Sequence, residues 1–575
     1  MAIALLAIFC STVYSNSIFV NPTSGHDITG TGTISNPYKS LKKAGQIAQG
    51  GDTIYIRGGH HLTFKDEFRR LNNTNNEIMN IMPYNNEVVI LDGLGANFTA
   101  FWEGILTIQS SRNIEVRNLQ ITNNDSSSGI RLVSDISISR NIKISGCKVS
   151  NTFRQGILIQ AKEVTVENCE VSNAVIRNTG GTAPSFWEAA LCTYPYPSSI
   201  GDCENITFRN NYVHNAWGEG IALVRAKNFL IENNKVEDCF SAYIYLDNCQ
   251  DGVIRNNFVK SNNYTYNRIF KGGYSQPGVG VFWAAEGNDY VSDRIVENIE
   301  IYNNLIIRTG PAFGWFDDDF NNFPNDSYRN IKIYYNTVFN TIGYESFYLE
   351  PEINPSRIPP SGCEFYNNIL CRAKYSSIMP VYRNYFTESN DYNTAWEFRN
   401  NCFIHGYPPG LNNKNNITGH PLFLDSNSIS SVNNFKVRSN SNCINSGIQI
   451  TGITTDYFGT TRKSTPTIGF YEWTFGSGIN QNPSNDIPKS FSLKQNYPNP
   501  FNPNTKIGFN LPEKAYVKLK VYDITGKEIT ELVNQNLNSG SYRYNWNPID
   551  LSSGVYFYEL IANDFTKTKR MLLAK

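Results

Sequence analysis

The sequence carries no excess of either charge. Lysine and arginine together number 50, aspartate and glutamate also number 50, and charged residues make up only 17% of the 575-residue chain. Nucleic acids and anionic membranes attract proteins through clustered positive charge, so neither is an expected partner. Beyond the N-terminal segment, no apolar run is long enough for a membrane-spanning helix.

Several motifs of well-known enzyme classes are also missing. No spacing of cysteine and histidine suggests a zinc site, no glycine-rich phosphate loop is present, and no nucleophile elbow occurs. Aromatic residues are abundant instead, with 34 tyrosines and 34 phenylalanines. Such residues favour strands over helices and offer flat faces for stacking.

The N-terminus MAIALLAIFCSTVYSNS holds a short apolar run that ends in small residues. Although no basic residue precedes this run, it predicts a secretory signal peptide over residues 1–15. Removal of that peptide would take Cys10 and leave 11 − 1 = 10 cysteines. Some of these can pair in an exported protein. Cys192 and Cys203 are the best candidates, and buried free thiols are the alternative.

The middle of the chain repeats one pattern. It consists of alternating apolar residues, a pair of asparagines and a second apolar pair, as in NITFRNNYVHN, NFLIENNKVED and DGVIRNNFVKS. The second asparagines of these three segments are 23 residues apart. The residues at this position of the pattern are Cys147, Cys169, Asn211, Asn234, Asn257, Asn304, Asn336 and Asn368.

A period of this length, built from short strands without helical periodicity, predicts an all-β solenoid. Asparagine tolerates the left-handed dihedrals that a turn in each coil needs, and stacked asparagines can form a ladder of hydrogen-bonded amides. We therefore expect a right-handed parallel β-helix. A β-propeller is the alternative, but its blades need about 40 or more residues each.

With these repeats, residues 17–473 resemble the secreted right-handed β-helix proteins of the pectate-lyase-like superfamily, which includes polysaccharide lyases and several glycoside hydrolase families. In the N-terminal segment SLKKAGQIAQ, the apolar residues Leu41, Ala44, Ile47 and Ala48 recur at helical spacing. Such a helix would cover the open end of the solenoid. The resemblance implies the fold more specifically than the chemistry.

A second resemblance concerns the C-terminus. A stretch rich in Gly, Asn, Ser and Pro predicts a linker over residues 474–489, between a β-helix domain over 16–473 and a small antiparallel β-sandwich over 490–575. Four motifs, NYPNPFNP, VKLKVYDITGKEI, SSGVYFYEL and TKTKRMLLAK, closely resemble the C-terminal sorting domain of the type IX secretion system. This implies that the secretion machinery is a partner and that the protein is secreted or held at the cell surface.

Alignment of the segments GIALVR, YIYLDN, GVFWAAE, GWFDDD and SFYLEP gives a register for one sheet of the solenoid. Strand side chains alternate between the two faces, so every second residue is predicted to face the core. The core-facing residues in this register are Ile221, Ile244, Val281, Trp315 and Phe347. The next position outward contains Ala222 and an aromatic row that is predicted to bind substrate, Tyr245, Phe282, Phe316 and Tyr348. Ordinary stacking along a solenoid surface is the alternative for this row.

An acidic row lies two residues further along the same strands and contains Asp247, Asp318 and Glu350. Carboxylates on adjacent coils would lie about 4.8 Å apart and disfavour each other's ionisation unless a cation or a substrate compensates. The coils also lengthen here, because Gly280 to Gly314 spans 34 residues against 23 in earlier coils. Long loops beside an acidic, aromatic face would wall a groove that fits a polysaccharide.

Two chemistries fit such a groove, and the first is glycoside hydrolysis. One carboxyl then protonates the leaving oxygen while another activates water or attacks the sugar. Asp318 with Glu350 would suit a retaining pair, and Asp247 with Asp318 would suit an inverting pair. Glu286, which arrives from a loop, is a third catalytic candidate, and the stereochemistry stays open.

The second chemistry is β-elimination by a polysaccharide lyase, which needs a cation on a uronate carboxylate and a base beside it. Asp317 and Asp319 would help to hold Ca²⁺. Arg225 or Lys271, with Arg268 and His214 as alternatives, would supply the base or a charge clamp. A glycan-binding adhesin without turnover is a third reading. We favour the hydrolase, since carboxylates outnumber credible bases on this face, and we expect a monomer.

Overall fold

The computed structural model describes residues 15–62, 66–69, 77–96, 103–179, 187–195, 201–262, 264–269, 275–286, 294–316, 327–341, 346–349, 358–372, 395–404, 414–474, 479–481, 488–502, 504–546, 548 and 551–574. The chain divides into two compact units. The first comprises Met1–Phe435 and Asn445–Tyr471, and the second comprises Lys436–Ile444 and Glu472–Lys575. Within the described ranges of both units, strands dominate.

Three long parallel sheets build the first unit into a right-handed β-helix, as predicted. The chain visits the three sheets in turn, so that neighbouring strands of one sheet come from successive coils. The first sheet contains Ser17–Val20, Thr53–Ile56, Met79–Pro83, Arg112–Arg117, Arg140–Ser145, Lys162–Glu167, Cys203–Arg209, Ala226–Glu232, Gln250–Arg255, Val296–Tyr302, Tyr328–Tyr334, Cys363–Tyr366 and Trp396–Arg399.

The second and third sheets complete each coil. The second sheet contains Gly59–Leu62, Val89–Asp92, Gln120–Asn124, Lys148–Thr152, Glu170–Ala174, Tyr212–Ala216, Lys235–Cys239, Phe258–Lys260, Leu305–Ile307, Thr337–Thr341, Ile369–Arg372, Cys402–Phe403 and Ile417–Thr418. The third sheet contains Asp66–Arg69, Gly104–Gln109, Ser128–Val133, Ile157–Ile159, Ala189–Thr193, Glu219–Val224, Ile244–Asp247, Val281–Ala284, Phe313–Phe316 and Phe347–Leu349. The side chains that face inward from all three sheets form one continuous apolar core.

A ladder of asparagines runs along the turn between the first and second sheets. Its members are Asn211, Asn234, Asn257, Asn304, Asn336, Asn368, Asn401 and Asn416. Each amide nitrogen but the last donates to the amide oxygen of the next member at 2.9–3.2 Å. The predicted ladder is confirmed. It continues the column of Cys169, whose backbone N–H donates to Asn211 Oδ1 at 3.0 Å.

The two asparagines of each pair have different tasks. The first ones, Asn210, Asn233 and Asn256, each have a φ of 56° and make the left-handed turn. The second ones are buried and form the ladder. Buried amides must be hydrogen-bonded to be tolerated, and here the ladder satisfies the amides together with main-chain groups of the adjacent coils.

We expect Asn336→Ala to lower the free energy of unfolding of the first unit by about 3 kcal/mol. The change leaves the Asn304 backbone N–H and the Ile301 carbonyl without their partner, and each buried unsatisfied group costs about 1–3 kcal/mol. Urea denaturation followed by circular dichroism measures the loss. Asn427→Ala, in an exposed position, is the control and should change stability by no more than about 0.5 kcal/mol. Equal effects of the two substitutions would contradict a stabilising role for the ladder.

The α-helix Leu41–Ile47 occurs where helical spacing predicted it. Ser40 caps its N-terminus by accepting a hydrogen bond from the Lys43 backbone N–H at 3.1 Å. The helix contacts Ser17–Val20 and Asp66–Arg69, the first strands of the first and third sheets. It therefore covers this end of the solenoid. Ile47, predicted to lie on the buried face, is 47% exposed, and the buried residues of the helix are Leu41, Ala44 and Gly45.

The predicted disulfide between Cys192 and Cys203 is wrong, since both residues are buried free thiols. Cys192 lies on the outer face of the third sheet, beside Leu158 and Ala222. Cys203 begins a strand of the first sheet and packs into the inner core. The two side chains therefore lie on opposite sides of the solenoid wall. Burial raises the pKa of the Cys203 thiol to about 12.

Shorter elements complete the described part of the first unit. An antiparallel pair, Arg268–Ile269 with Ser275–Gln276, occurs between two strands of the solenoid. Short 3₁₀ turns occur at Tyr84–Asn86, Ile176–Asn178, Tyr264–Tyr266 and Val432–Phe435. No helix in the described ranges of the chain has the length and apolar character needed to cross a membrane.

The second unit contains two four-stranded antiparallel sheets around a separate apolar core, as the alternating pattern predicted. One sheet contains Ile479–Gln481, Ser492–Leu493, Thr505–Leu511 and Gly540–Trp546. The other contains Ala515–Tyr522, Glu528–Leu537, Gly554–Ala562 and Phe565–Leu573. Along Ala515–Tyr522, alternate residues are buried, which is the period-two pattern of a sheet with one face on the core.

Candidate active site

The third sheet carries the residues that the sequence placed in columns. Ala222, Tyr245 and Phe282 are neighbours in one row, and Asp247 lies beside Ala284 in the next. The predicted register is confirmed for these coils. At the following coil it is wrong by two residues, because Gly314 lies beside Phe282 and Phe316 lies beside Ala284. A shift of two keeps every side chain on the same face, so alternation could not distinguish the two registers.

The rings of the aromatic row remain neighbours despite this shift in register. The ring centroids of Tyr245 and Phe282 are 6.0 Å apart, and those of Phe282 and Phe316 are 6.2 Å apart. Phe316 reaches Phe282 diagonally, since diagonal neighbours in a sheet lie within reach of aromatic side chains. Trp315 faces the core, as predicted. Tyr348 pairs with Gly314 through its backbone, and its side chain lies outside the described part of the structure.

The outer face of the third sheet is a second, smaller apolar cluster. Ala222, Tyr245 and Ala284 are buried there although they point away from the solenoid core. Phe282 and Phe316 pack against this cluster and stay half-buried. The aromatic row therefore combines one buried ring, that of Tyr245, with two rings that keep part of their faces open to solvent.

Asp247 and Glu286 are joined by hydrogen bonds across adjacent coils. Asp247 ends the strand Ile244–Asp247, and its Oδ1 accepts from the Glu286 backbone N–H at 2.9 Å. The Tyr245 hydroxyl donates to Glu286 Oε1. Burial, followed by the charges of Glu286 and Asp247, raises the pKa of Tyr245, so this hydroxyl keeps its proton and remains a donor. The two predicted carboxylates thus meet at one end of the aromatic row.

A third carboxyl, which was not selected from the sequence, lies within electrostatic range of these two. Glu219 begins the strand Glu219–Val224 and is buried. Burial raises the pKa of Glu219 well above its ordinary value, and the charges of Glu286 and Asp247 raise it further. Glu219 therefore binds its proton more tightly than an exposed glutamate does, within electrostatic range of two other carboxyl groups. Glu219, Asp247 and Glu286 together are called the carboxyl cluster below.

The local sequence WGEGI contained a signal for Glu219. A side chain at Gly218 would bring its Cβ to 2.0 Å from the Glu188 carbonyl oxygen, and one at Gly220 would bring it to 2.6 Å from the Tyr243 carbonyl oxygen. Only glycine permits such close approach of the backbone. A glutamate between two glycines that are both required by packing is thereby held against the neighbouring coils.

Beside the carboxyl cluster, a network of polar contacts surrounds Asn248. Its Nδ2 donates to Asp247 Oδ1 and to the Glu286 carbonyl oxygen, both at 2.7 Å. Arg294 donates to the Asn248 carbonyl oxygen through Nε and Nη2, and to Asp202 through Nη1. Arg225, a predicted catalytic base, donates through Nε to Asp202 Oδ1 at 3.1 Å. Its charge is thus paired with Asp202.

A second charged group lies on the preceding coils, and its Glu188 comes directly before the strand that pairs with Glu219–Val224. Arg154 and Arg177 both donate to Glu188 Oε1, at 3.1 and 3.3 Å. Arg131 is almost fully buried nearby, and burial lowers the pKa of its guanidinium to about 10. These ion pairs link adjacent coils.

Several predicted site residues are not part of this geometry. Those that lie outside the described residues are Lys271, Asp317, Asp318, Asp319 and Glu350. His214 lies in the second sheet, stacked on Tyr212 and 3.4 Å from Glu170, so it is not near the carboxyl cluster. Within the described ranges, no three His, Cys, Asp or Glu side chains are grouped to hold a metal ion. Calcium binding through Asp317 and Asp319 stays a prediction.

Comparison with known families identifies three regions of the chain. Residues 18–193 match the Pel9A-like right-handed β-helix region, and residues 196–321 match a right-handed β-helix region. Residues 495–574 match the secretion system C-terminal sorting domain. No curated protein matches the chain.

Among solved structures, a GH136 lacto-N-biosidase from Eubacterium ramulus shares 14% identity over 67% of each chain, with a TM-score of 0.47. The complex of XylC with xylose shares 11% identity over 80% of this chain and 98% of that one, with a TM-score of 0.46. Pectate lyase Pel9A shares 12% identity over 80% and 98%, with a TM-score of 0.42. With identities of 11–14% and TM-scores below 0.5, these similarities assign no property to this chain.

The parallel sheets and both solenoid matches agree on one architecture, and the C-terminal match agrees with the motifs of the second unit. The chain is therefore a right-handed parallel β-helix protein with a C-terminal sorting domain, exported by type IX secretion to the cell surface or the medium.

Proposed function

We propose that the protein is a carbohydrate-active enzyme that hydrolyses glycosidic bonds of a polysaccharide lying on the outer face of the third sheet. The observation that carries the proposal is the carboxyl cluster: Asp247 and Glu286 are joined by a hydrogen bond beside the aromatic row, and their charges act on the buried carboxyl of Glu219. Carboxyls whose environments push their proton affinities apart are the acid and base of glycoside hydrolysis.

Glu219 supplies the acid in this proposal. Its buried carboxyl keeps a proton at a pH where an exposed glutamate would have lost it. Protonation of the glycosidic oxygen converts a poor leaving group into an alcohol. The charges of Asp247 and Glu286 contribute to holding that proton until the leaving oxygen takes it.

Asp247 or Glu286 supplies the second carboxylate, which activates water or attacks the sugar. The Oδ1 atom of Asp247 is fixed by two donors, Asn248 Nδ2 and the Glu286 backbone N–H, and this sets the direction of its other oxygen. Glu286 is oriented by the Tyr245 hydroxyl. Glu350 is proposed to extend the acidic row at a later coil, and Asp318, two residues beyond Phe316 in the chain, is proposed to add a further carboxylate next to that row.

Phe282 and Phe316 provide the binding surface for the sugar chain. Their partly open faces lie next to one another along the coils. Aromatic faces pack against the apolar faces of sugar rings and bury large areas. Tyr348 and Lys271 are proposed to extend this surface at neighbouring positions.

A second candidate function is β-elimination on a uronate polysaccharide, favoured by the match of residues 18–193 to the Pel9A-like region. It requires a cation, for which Asp317 and Asp319 would be ligands, and a base. Arg225 is paired with Asp202, which makes it a poor proton acceptor. Glycoside hydrolysis therefore explains the residues on the outer face of the third sheet better than β-elimination does. A glycan-binding adhesin, which would bind a sugar chain without cleaving it, remains the alternative that is not an enzyme.

The test is incubation of the full exported chain with a panel of neutral and acidic polysaccharides, with and without a chelator. Hydrolysis is expected to release new reducing ends without ultraviolet absorbance, whether or not the chelator is present. Unsaturated, ultraviolet-absorbing products that disappear with the chelator would establish the lyase instead. Binding without any product would leave only the adhesin.

A further inference from the structure

Asn248 contacts two members of the carboxyl cluster at once. Its side-chain amide donates to Asp247 Oδ1 at 2.7 Å and to the main-chain oxygen of Glu286 at 2.7 Å. The residue is fully buried and has a φ of 54°. Asparagine is one of the few residues other than glycine that tolerate this conformation. The backbone therefore turns at position 248 in a way that aims the amide at both carboxylate-bearing residues.

The amide itself is held from the opposite side. The Arg294 backbone N–H donates to Asn248 Oδ1 at 2.5 Å, which fixes which end of the amide faces Asp247. The Arg294 guanidinium donates twice to the Asn248 carbonyl oxygen, at 2.6 and 3.1 Å. Asp202 in turn accepts from both Arg294 and Arg225.

We propose that Asn248 is a positioning residue, which Arg294 and Asp202 hold in place so that Asp247 and Glu286 keep the geometry needed for hydrolysis. The inference rests on the proposed function of the carboxyl cluster. Asn248 and Glu286 belong to successive coils, and Arg294 resumes the chain after the residues that follow Glu286. Through its hydrogen bonds, Asn248 therefore connects Glu286, where the segment between two strands of that coil begins, to Arg294, where the segment ends.

Asn248 is expected to affect the position and orientation of the two carboxylates and not the binding of the sugar chain. A carboxylate that drifts by about 1 Å from its reactive position can lose roughly 10²-fold in rate. A single side chain that donates to both Asp247 and the Glu286 backbone fixes their relative positions. Loss of this donor should therefore lower kcat and leave KM nearly unchanged, because the aromatic surface is untouched.

Asn248→Asp is the sharpest variant, since it changes the donor into an acceptor at constant size. The charged groups around position 248 are Asp247, Glu286, Arg294, Arg225, Glu219 and Asp202. When ionised, the new carboxylate would oppose Asp247 and the Glu286 carbonyl oxygen. When protonated, its hydroxyl could restore one of the two donations. The defect should therefore be partly rescued at acidic pH.

The experiment compares kcat, KM and thermal unfolding of the full chain from pH 4 to pH 8, on the polysaccharide that the wild type cleaves. We expect kcat of Asn248→Asp to fall by roughly 10²-fold at pH 7, with KM within about 3-fold and a smaller defect at pH 4. The control is Asn233→Asp, which makes the same change at an exposed position with a φ of 56°. It should match the wild type in every measurement.

Arg294→Lys is the second variant. It keeps the charge but not the planar fork that grips the Asn248 carbonyl oxygen, and it should show a weaker defect of the same kind. A wild-type kcat for Asn248→Asp, or a defect equal at all pH values with KM raised instead, would overturn the inference. A protein that cleaves no polysaccharide would overturn the proposed function and this inference with it.

Discussion

Replacement of Asp247 by asparagine should lower kcat on the polysaccharide substrate by roughly 10²–10⁴-fold, the range that a positioned acid or base contributes. The substituted amide keeps an oxygen that can accept from Asn248 Nδ2 and from the Glu286 backbone N–H, as Oδ1 does in the wild type. The fold should therefore persist while the negative charge at the reacting position is lost. Initial rates of reducing-end release measure the effect, and circular dichroism checks the fold.

The matched control is Asp251→Asn, which removes a carboxylate from the outer face of the first sheet. Asp251 accepts from Asn298 Nδ2 at 2.8 Å and is remote in register from the aromatic row. Its substitution should leave kcat unchanged. If Asp247→Asn retained the wild-type rate, Asp247 would not take part in the chemistry, and the pair would have to be sought among the other carboxylates.

Glu219→Gln should produce a comparable fall in kcat, with a dependence on the leaving group that separates an acid from a nucleophile. An amide cannot protonate a leaving oxygen, so a polysaccharide, whose leaving group is a poor one, should lose roughly 10²–10⁴-fold in rate. An aryl glycoside with an acidic phenol needs no such proton and should be cleaved at nearly the wild-type rate. The high-pH limb of the rate profile should also disappear. Equal losses on both substrates would contradict the role of Glu219 as the acid.

The same substitution should stabilise the protein at neutral pH. Because the folded state raises the pKa of Glu219 above the ordinary value of 4.5, it binds a proton there that the unfolded chain has released. Stability then falls as pH rises above 4.5. A glutamine carries no such penalty, so the unfolding temperature of Glu219→Gln should exceed that of the wild type at pH 7 and approach it near pH 4.

The fold was predictable because its signals repeat. One Asn-Asn pair would indicate a turn, but a column of them at the same step specifies which residues stack, and Asn211, Asn234 and Asn257 lie where that column placed them. The register of Phe313–Phe316 was not predictable from alternation. Gly314, Trp315 and Phe316 keep their inward and outward directions under a shift of two residues, so the choice depends on packing between coils.

The candidate site could be predicted only in part. Asp247 follows from the register, since it ends an outward-facing strand, and Glu286 comes two residues after the end of the strand on the adjacent coil. The glycines on either side of Glu219 indicate close packing at this position, but its raised pKa depends on burial and on the charges of Asp247 and Glu286 on other coils, which the segment WGEGI alone does not reveal. The disulfide between Cys192 and Cys203 failed for a similar reason: closeness in sequence says nothing about which side of the wall each thiol occupies.

The asparagine ladder has a consequence for how such a chain can change over evolutionary time. Successive members are separated by 23, 23, 47, 32, 32, 33 and 15 residues, yet each step is closed by the same pair of contacts. The ladder therefore needs one asparagine in each coil, and the number of residues in the coil can vary. Insertions between Asn257 and Asn304 can be exchanged as cassettes that alter what the outer face recognises, while the scaffold below keeps its pitch.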